Sequence, residues 1–399
     1  MAAKATAILR VISPSTKIYS LKEEYLGGAR IDFIENVYVV LQETYILMSI
    51  EGKPWRQRNV TITEVARVAG VSIATVSRVL NNSPGVGETT RRRIRALIDE
   101  LGYHPNLTAR SLASQSTRTI AVISMQTLGQ LQTQPALGQL FRGIEDVLAR
   151  ENYRCTVLSR DEFKQSVAGL RLVKGSGVDG VLLNGAKVND PFATELASYG
   201  FPFVTIGRAI GLVNTYYVDI DNLSGAYEAV KTLVRAGHKR IGHVCGSQQT
   251  NLGIERLEGY RRALIDAGLE YNERLVVEAG MTRRDAYIAV DAFLRSTDRR
   301  LWPTGIFVFN DFFAISVVKA LADNGLCVPQ DISVIGFDDD DASQYLNPPL
   351  ASVRAPIYQL GEQATRMLLS LVRGEEIARP QVILPTEVVS RASIGPPPV

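Results

Sequence analysis

The chain has 399 residues, 46% of them hydrophobic and 21% charged, with a formal net charge of +3. That length admits two or three domains with a large buried core, and the ordinary composition excludes collagen-like and wholly disordered chains. The near-neutral total hides a partition. Residues 52–118 hold eleven Lys/Arg against four Asp/Glu, residues 1–51 five against six, and residues 119–399 hold 28 against 31. A compact basic module on a mildly acidic body points to a polyanion partner for that module alone.

The three cysteines, Cys155, Cys245 and Cys327, lie far apart without metal-ligand spacing. They read as reduced, packed thiols of a cytoplasmic protein, and neither a metal nor a cofactor is expected. The start "MAAKATAILRVISPSTK" lacks the sustained apolar stretch and cleavage site of an export signal. The most apolar early segment, "NVYVVLQETYILMSI", is interrupted by Glu43 and too short to span a bilayer, so no membrane partner is expected. Residues 1–59 read either as a disordered arm or as a product of start-codon choice, with Met48 an internal alternative.

From Val60 the pattern sharpens. Thr61-Ile62-Thr63-Glu64 fits a capping box, Val65, Val68 and Ala69 form an apolar face, and Gly70 ends the helix. Ser72 caps a second helix from Ile73 to about Asn81, with Val76, Val79 and Leu80 on its buried side. "NNSPG" is a loop. A third helix spans about Glu88 to Leu101, with Ile94, Leu97, Ile98 and Leu101 at helical spacing. Two short helices joined by a tight glycine turn describe a helix-turn-helix, whose second helix enters the major groove of DNA. Ile73 and Ala74 then stand at the base-reading end, where apolar groups meet thymine methyls, and Arg78 reaches guanine. Ser72, Thr75, Ser77, Asn81 and, at the start of the third helix, Thr90 suit phosphate contacts. The alternative is a generic helical hairpin with a solvated polar face.

Pro105 stops the third helix, and Asn106 caps a short segment, Leu107 to Ala113, too short to be stable alone. From Thr119 the chain alternates. Strand candidates "TIAVISM", "RCTVLS", "GVDGVLLN", "FPFVTIG", "RIGHVCG", "LVVEAG", "GIFVFN" and "ISVIGFD" are separated by amphipathic segments. This pattern predicts parallel sheets covered on both faces, in two tandem units. His238 and His243 flank a strand and read as packing or surface residues, and Asp221 reads as a helix start.

The stretch "VTITEVARVAGVSIATVSRVLNNSPGVGETTRRRIRALIDELGYHPNLTARSLAS" resembles the DNA-binding headpiece of the lactose/galactose repressor family almost position by position. The likeness runs from residue 60 to about 395; Gly87 stands where the family often has serine. It implies a small all-α headpiece over residues 60–105, a hinge helix over 106–117, and an α/β core over 118–399 of the periplasmic-binding-protein type. That core has one subdomain of about 118–218 and 352–383 and another of about 219–351 and 384–395, with crossings near Val218, Ser352 and Ile383. The resemblance gives the segment after Pro105 the role of a hinge that folds only on operator DNA, with Asn106, Ala109 and Leu112 in the minor groove and Leu112 wedging a base step. It assigns Arg256, Asn310, Asp311 and Asp338 to the effector, with Gln126 the first subdomain's candidate. Relatives often carry an Asp and an Asn-Pro-Phe turn near Gln126, so this departure leaves the ligand open.

These readings imply a homodimeric regulator on a pseudo-palindromic operator, a repressor of carbohydrate uptake or catabolism genes controlled by a sugar. The C-terminal "VVSRASIGPPPV" has no leucine heptad for a tetramer. A corepressor-dependent regulator of purine or nucleoside type is the alternative. An enzyme or a solute-binding protein on the same fold is the more remote one, since nucleophile elbow, phosphate loop and His–carboxylate cluster are all missing from the sequence.

Overall fold

A computed structural model describes residues 60–80, 82–103, 116–124, 134–159, 173, 175, 177–213, 215–280 and 282–398. The chain divides after Pro105 into two compact units.

The first unit contains α1 (Ile62–Ala69), α2 (Ile73–Leu80) and α3 (Glu88–Leu101). The forward half of the expected capping box is present: Thr61 Oγ1 accepts from the Glu64 amide at 3.3 Å. Gly70 closes α1 at φ 62°, a conformation that favours glycine, and donates to the carbonyls of Ala66 and Arg67. Val65, Val76 and Ile94 meet in a small core with Ala66, Ala69, Val79 and Tyr103. Val68, expected on the apolar face, is 47% exposed. Ala66 takes its place, because a helix of eight residues can bury only the stripe that faces both partners. Three arginines of α3 hold the module together. Arg93 donates to the Ala69 carbonyl (3.1 Å), Arg91 to the Ser83 carbonyl (2.8 Å) and Arg95 to Asn82 Oδ1 (2.6 Å).

The second unit alternates strand and helix: β1 (Thr119–Ser124), α4 (Pro135–Arg150), β2 (Arg154–Ser159), β3 (Gly180–Asn184), α5 (Pro191–Ser198), β4 (Phe203–Ile206), β5 (Tyr217–Ile220), α6 (Asn222–Arg235), β6 (Ile241–Cys245) and α7 (Asn251–Asp266). It continues with β7 (Val276–Glu278), α8 (Arg283–Ser296), β8 (Gly305–Val308), α9 (Asp311–Asp323), β9 (Ser333–Asp338), β10 (Ala351–Arg354), α10 (Ile357–Val372), β11 (Gln381–Leu384) and β12 (Glu387–Val389). Two six-stranded sheets result, in the orders β11-β5-β4-β3-β1-β2 and β12-β10-β9-β8-β6-β7. We call the subdomains built on them the first and second lobes.

Every pairing in the first sheet is parallel. In the second, β12 runs antiparallel to β10, a departure from the all-parallel expectation that follows from connectivity. The chain leaves the first sheet at the carboxyl end of β11 and enters the second two residues later, from the cleft side, so it must run against strands that point toward the cleft. The crossings fall after Ile220, Arg354 and Leu384. The sequence placed them near Val218, Ser352 and Ile383; β10 completes its pairing with β9 through Arg354 before the chain crosses.

The helices pack closely where glycine permits it. A Cβ on Gly143 of α4 would lie 2.1 Å from the Tyr358 carbonyl of α10, and one on Gly361 of α10 would lie 2.3 Å from the Leu140 carbonyl of α4. His243 lies inside β6 rather than beside it, buried and stacked on Phe307 with ring centroids 4.7 Å apart. Burial pushes its imidazole down to about 4.

Candidate functional site

In the first unit, Ser72 Oγ accepts the Thr75 amide (3.2 Å) and lies 2.9 Å from Thr75 Oγ1. Both predicted phosphate-contacting groups therefore also stabilise the start of α2. Ser72, Ile73, Ala74 and Arg78 are exposed on one end and face of α2, while Val76 and Val79 are buried behind them. Ile73 is 46% exposed, an apolar side chain held in solvent at the N-terminus of the second helix. Ser77 and Thr90 are half-buried. Asn81, Asn106, Ala109, Leu112 and Gln126 lie outside the described residues.

In the second unit a cavity of about 350 Å³ lies between the lobes. The carboxyl ends of parallel strands from both sheets border it, the place where open α/β sheets hold ligands. Its walls include Asn184, Lys187, Arg208 and Asp219 from the first lobe and Asn251, Arg256, Asn310 and Asp338 from the second. Leu137, Leu140, Ile206, Phe309, Phe313 and Leu360 supply apolar surface.

Arg256, on α7, is 2% exposed and its guanidinium is fixed on every side. Nε donates to Asn222 Oδ1 (3.1 Å), one terminal nitrogen to the Phe309 carbonyl, and the other to Asp338 Oδ1 (3.2 Å). The Phe337 and Phe309 rings lie 3.6 and 4.8 Å from its central carbon. Burial pulls the guanidinium pKa down, and Asp338 opposes that shift. Asp338 ends β9 at φ 99°, a strained backbone for a residue with a side chain. Burial pushes its carboxyl up against the pull of Arg256. Asn310 caps α9 by accepting from the Phe313 amide (3.0 Å) while facing the cavity.

Asp311 does not join them. Its carboxylate accepts from Ser343 Oγ (2.6 Å), Ser352 Oγ (2.7 Å) and the Asp340 amide (2.9 Å), wholly buried behind the cleft wall. The sequence pairs it with Asn310, but Asn310 is the extended N-cap of α9 and Asp311 its first helical residue, so the two side chains diverge, one to the cavity and the other to the interior. Burial pushes its carboxyl up to about 8 and that of Asp340 to about 7.

The sequence draws attention to Asp221, which caps α6 through the Ser224 amide (3.0 Å), and not to Asp219. Asp219 is the junction between lobes. It accepts from the Arg208 amide (2.8 Å), the Ile220 amide (2.8 Å), Asn222 Nδ2 (3.2 Å) and Asn251 Nδ2 (3.3 Å). An acidic residue inside the apolar strand "YVDI" was the available signal. Further contacts bridge the cleft, among them an antiparallel bridge between Lys187 and Thr250 and an ion pair of 3.3 Å between Arg208 and Glu255.

Comparisons with known proteins bear on both units. Residues 61–106 match the model of bacterial regulatory proteins of the lacI family, and residues 230–394 match that of the periplasmic binding protein-like domain. The HTH-type transcriptional regulator CelR of Thermobifida fusca is 34% identical over 341 residues, covering 85% of this chain and 99% of that protein. A structure of a CelR–cellobiose complex superposes with a TM-score of 0.66 at 31% identity, covering 84% of this chain and all of that one. The lac repressor dimer bound to operator and the anti-inducer ONPF gives a TM-score of 0.73 at 26% identity, covering 84% and 99%. Among the described residues no helix is long and apolar enough to cross a membrane.

Proposed function

The chain belongs to the LacI family of bacterial transcriptional regulators, and on that premise we propose that it represses carbohydrate uptake or catabolism genes in the cytoplasm, as a homodimer on a pseudo-palindromic operator. In this reading Ile73, Ala74 and Arg78 read bases, and Ser72, Thr75, Ser77, Asn81 and Thr90 position the headpiece on phosphates. Asn106, Ala109 and Leu112 enter the minor groove. The exposed array of Ser72, Ile73, Ala74 and Arg78 on a capped short helix supports it.

The effector site is the interlobe cavity. The observation that carries this assignment is the convergence of Asn310, Asp338 and Arg256 on one cavity at strand ends. Paired hydrogen-bonding atoms of this kind suit the vicinal hydroxyls of a sugar, and cellobiose is bound in the CelR complex. The sugar shifts the operator-binding equilibrium through its differential affinity for two arrangements of the lobes.

The test is a gel shift of the intact protein on genomic upstream fragments, with and without a panel of mono- and disaccharides. Retarded complexes whose affinity changes with one sugar support the reading. Indifference to every duplex at modest ionic strength overturns it.

A further inference from the structure

Among the described residues, once the ion pairs of the cleft are matched, Lys187 is left without one, and it sits beside Arg208 on the first lobe. Strands β3 and β4 are neighbours with Asn184 opposite Ile206, about 4.8 Å apart. Lys187 and Arg208, three and two residues beyond that pair, therefore leave adjacent carboxyl ends, and both line the cavity. The Lys187 backbone is fixed by its amide's bond to Asp190 Oδ2 (3.0 Å) and by the bridge to Thr250. Among the described residues its ammonium joins no ion pair.

Arg208 is held in place by its amide's bond to Asp219 and by Glu255 on one terminal nitrogen. Its Nε is buried with no acceptor among the described residues. That nitrogen is closed to solvent, but the side chain is 41% exposed and its second terminal nitrogen makes no hydrogen bond among the described residues.

Among the described residues the carboxylates of the cleft are engaged. Asp219 accepts four N–H groups, Asp338 holds Arg256, and Glu255 already sits on Arg208. Among the described residues the cleft thus pairs Arg256 with Asp338 and Arg208 with Glu255 and holds Asp219 in N–H donors, which leaves the exposed ammonium of Lys187 without a counter-charge next to Arg208.

We propose that the effector is an anionic sugar, a sugar acid or a sugar phosphate, whose anionic oxygens bridge Arg208 and Lys187 while its hydroxyls face Asn310 and Asp338. The inference rests on the reading of the cleft as a sugar site and narrows it to a charge class.

The experiment is calorimetric and thermal-shift titration of the intact protein with matched ligands: glucose, gluconate, glucuronate and glucose 6-phosphate, and cellobiose against cellobionate. The expected result is an anionic member binding at least about tenfold more tightly than its neutral partner, as charge-assisted bonds exceed neutral ones. That advantage shrinks as salt rises from about 50 to about 500 mM. The carboxylate and phosphate arms separate the two sources of charge. Arg208→Gln and Lys187→Met bring the anionic-to-neutral ratio toward one, and Arg208→Lys keeps part of it; cooperative melting of each unliganded variant verifies folding. Neutral sugars binding as tightly as the anionic ones overturn this inference and leave the sugar reading standing. No binding by any member overturns both. A preference that survives in both variants places the anion elsewhere and overturns the assignment.

Discussion

Arg256→Ala is the substitution whose consequences the structure states most fully. The family resemblance implies that losing this side chain abolishes the effector response and spares DNA binding. The structure adds a stability effect, because the guanidinium answers three buried acceptors: Asn222 Oδ1, the Phe309 carbonyl and Asp338 Oδ1. Removing one partner of a buried ion pair costs about 3–5 kcal/mol. The Asp338 carboxyl is already pushed upward by burial. It can take up a proton once the arginine is gone, which holds the loss toward the lower end, roughly 3 kcal/mol. For a body of this size each kcal/mol moves the melting temperature by about 2–4 °C, so a fall of roughly 6–12 °C is expected. Scanning calorimetry of the intact protein near pH 7, following the body's transition, measures it. The double variant Arg256→Met/Asp338→Leu removes both charges and should recover much of the loss. A fall of under about 1 °C, with the double variant no better than the single, refutes the description of Arg256 as the buried centre of the cleft wall.

Arg78→Ala should weaken specific operator binding by about 1–3 kcal/mol and leave weak, salt-sensitive binding largely intact, as read by fluorescence anisotropy on operator and scrambled duplexes. Ile94→Ala empties the centre of the headpiece core. Its cost of about 2–5 kcal/mol rivals the whole stability of a module this small, so specific DNA binding should vanish while the body's melting transition stays in place. Burial raises the folded-state pKa of Asp311 to about 8 and of Asp340 to about 7. The native protein therefore keeps protons that the unfolded chain releases above the ordinary carboxylate range, and stability is lost as pH rises from about 4 through about 8. Melting should fall between about pH 6 and about pH 9, and Asp311→Asn should flatten that slope; an unchanged slope would show that Asp311 titrates normally.

Local chemistry alone made much of this protein legible. Caps, glycine stops and apolar spacing placed α1 and α3 within a residue, because Thr61, Gly70 and Gly102 act on backbone groups a few residues away. Alternating apolar strands and amphipathic helices foretold two α/β units for the same reason. The sequence pattern shows no strand beyond Asp338, yet β11 and β12 each form an edge of a sheet and β10 lies between β12 and β9. They are three- and four-residue segments, too brief to carry a period of their own, and they exist because neighbouring strands offer unpaired edges. The cleft divides in the same way. Sequence could nominate Arg256, Asn310 and Asp338 one at a time, but which of Asn310 and Asp311 faces the cavity depends on the rotation of α9 against β9. The chain crosses between lobes beside Asp219, and Lys187 and Arg208 come to adjacent strand ends only through the pairing of β3 with β4. Residue type fixes what a group can do within one turn or one strand. What it meets is set by contacts distant in sequence, and only packing settles those.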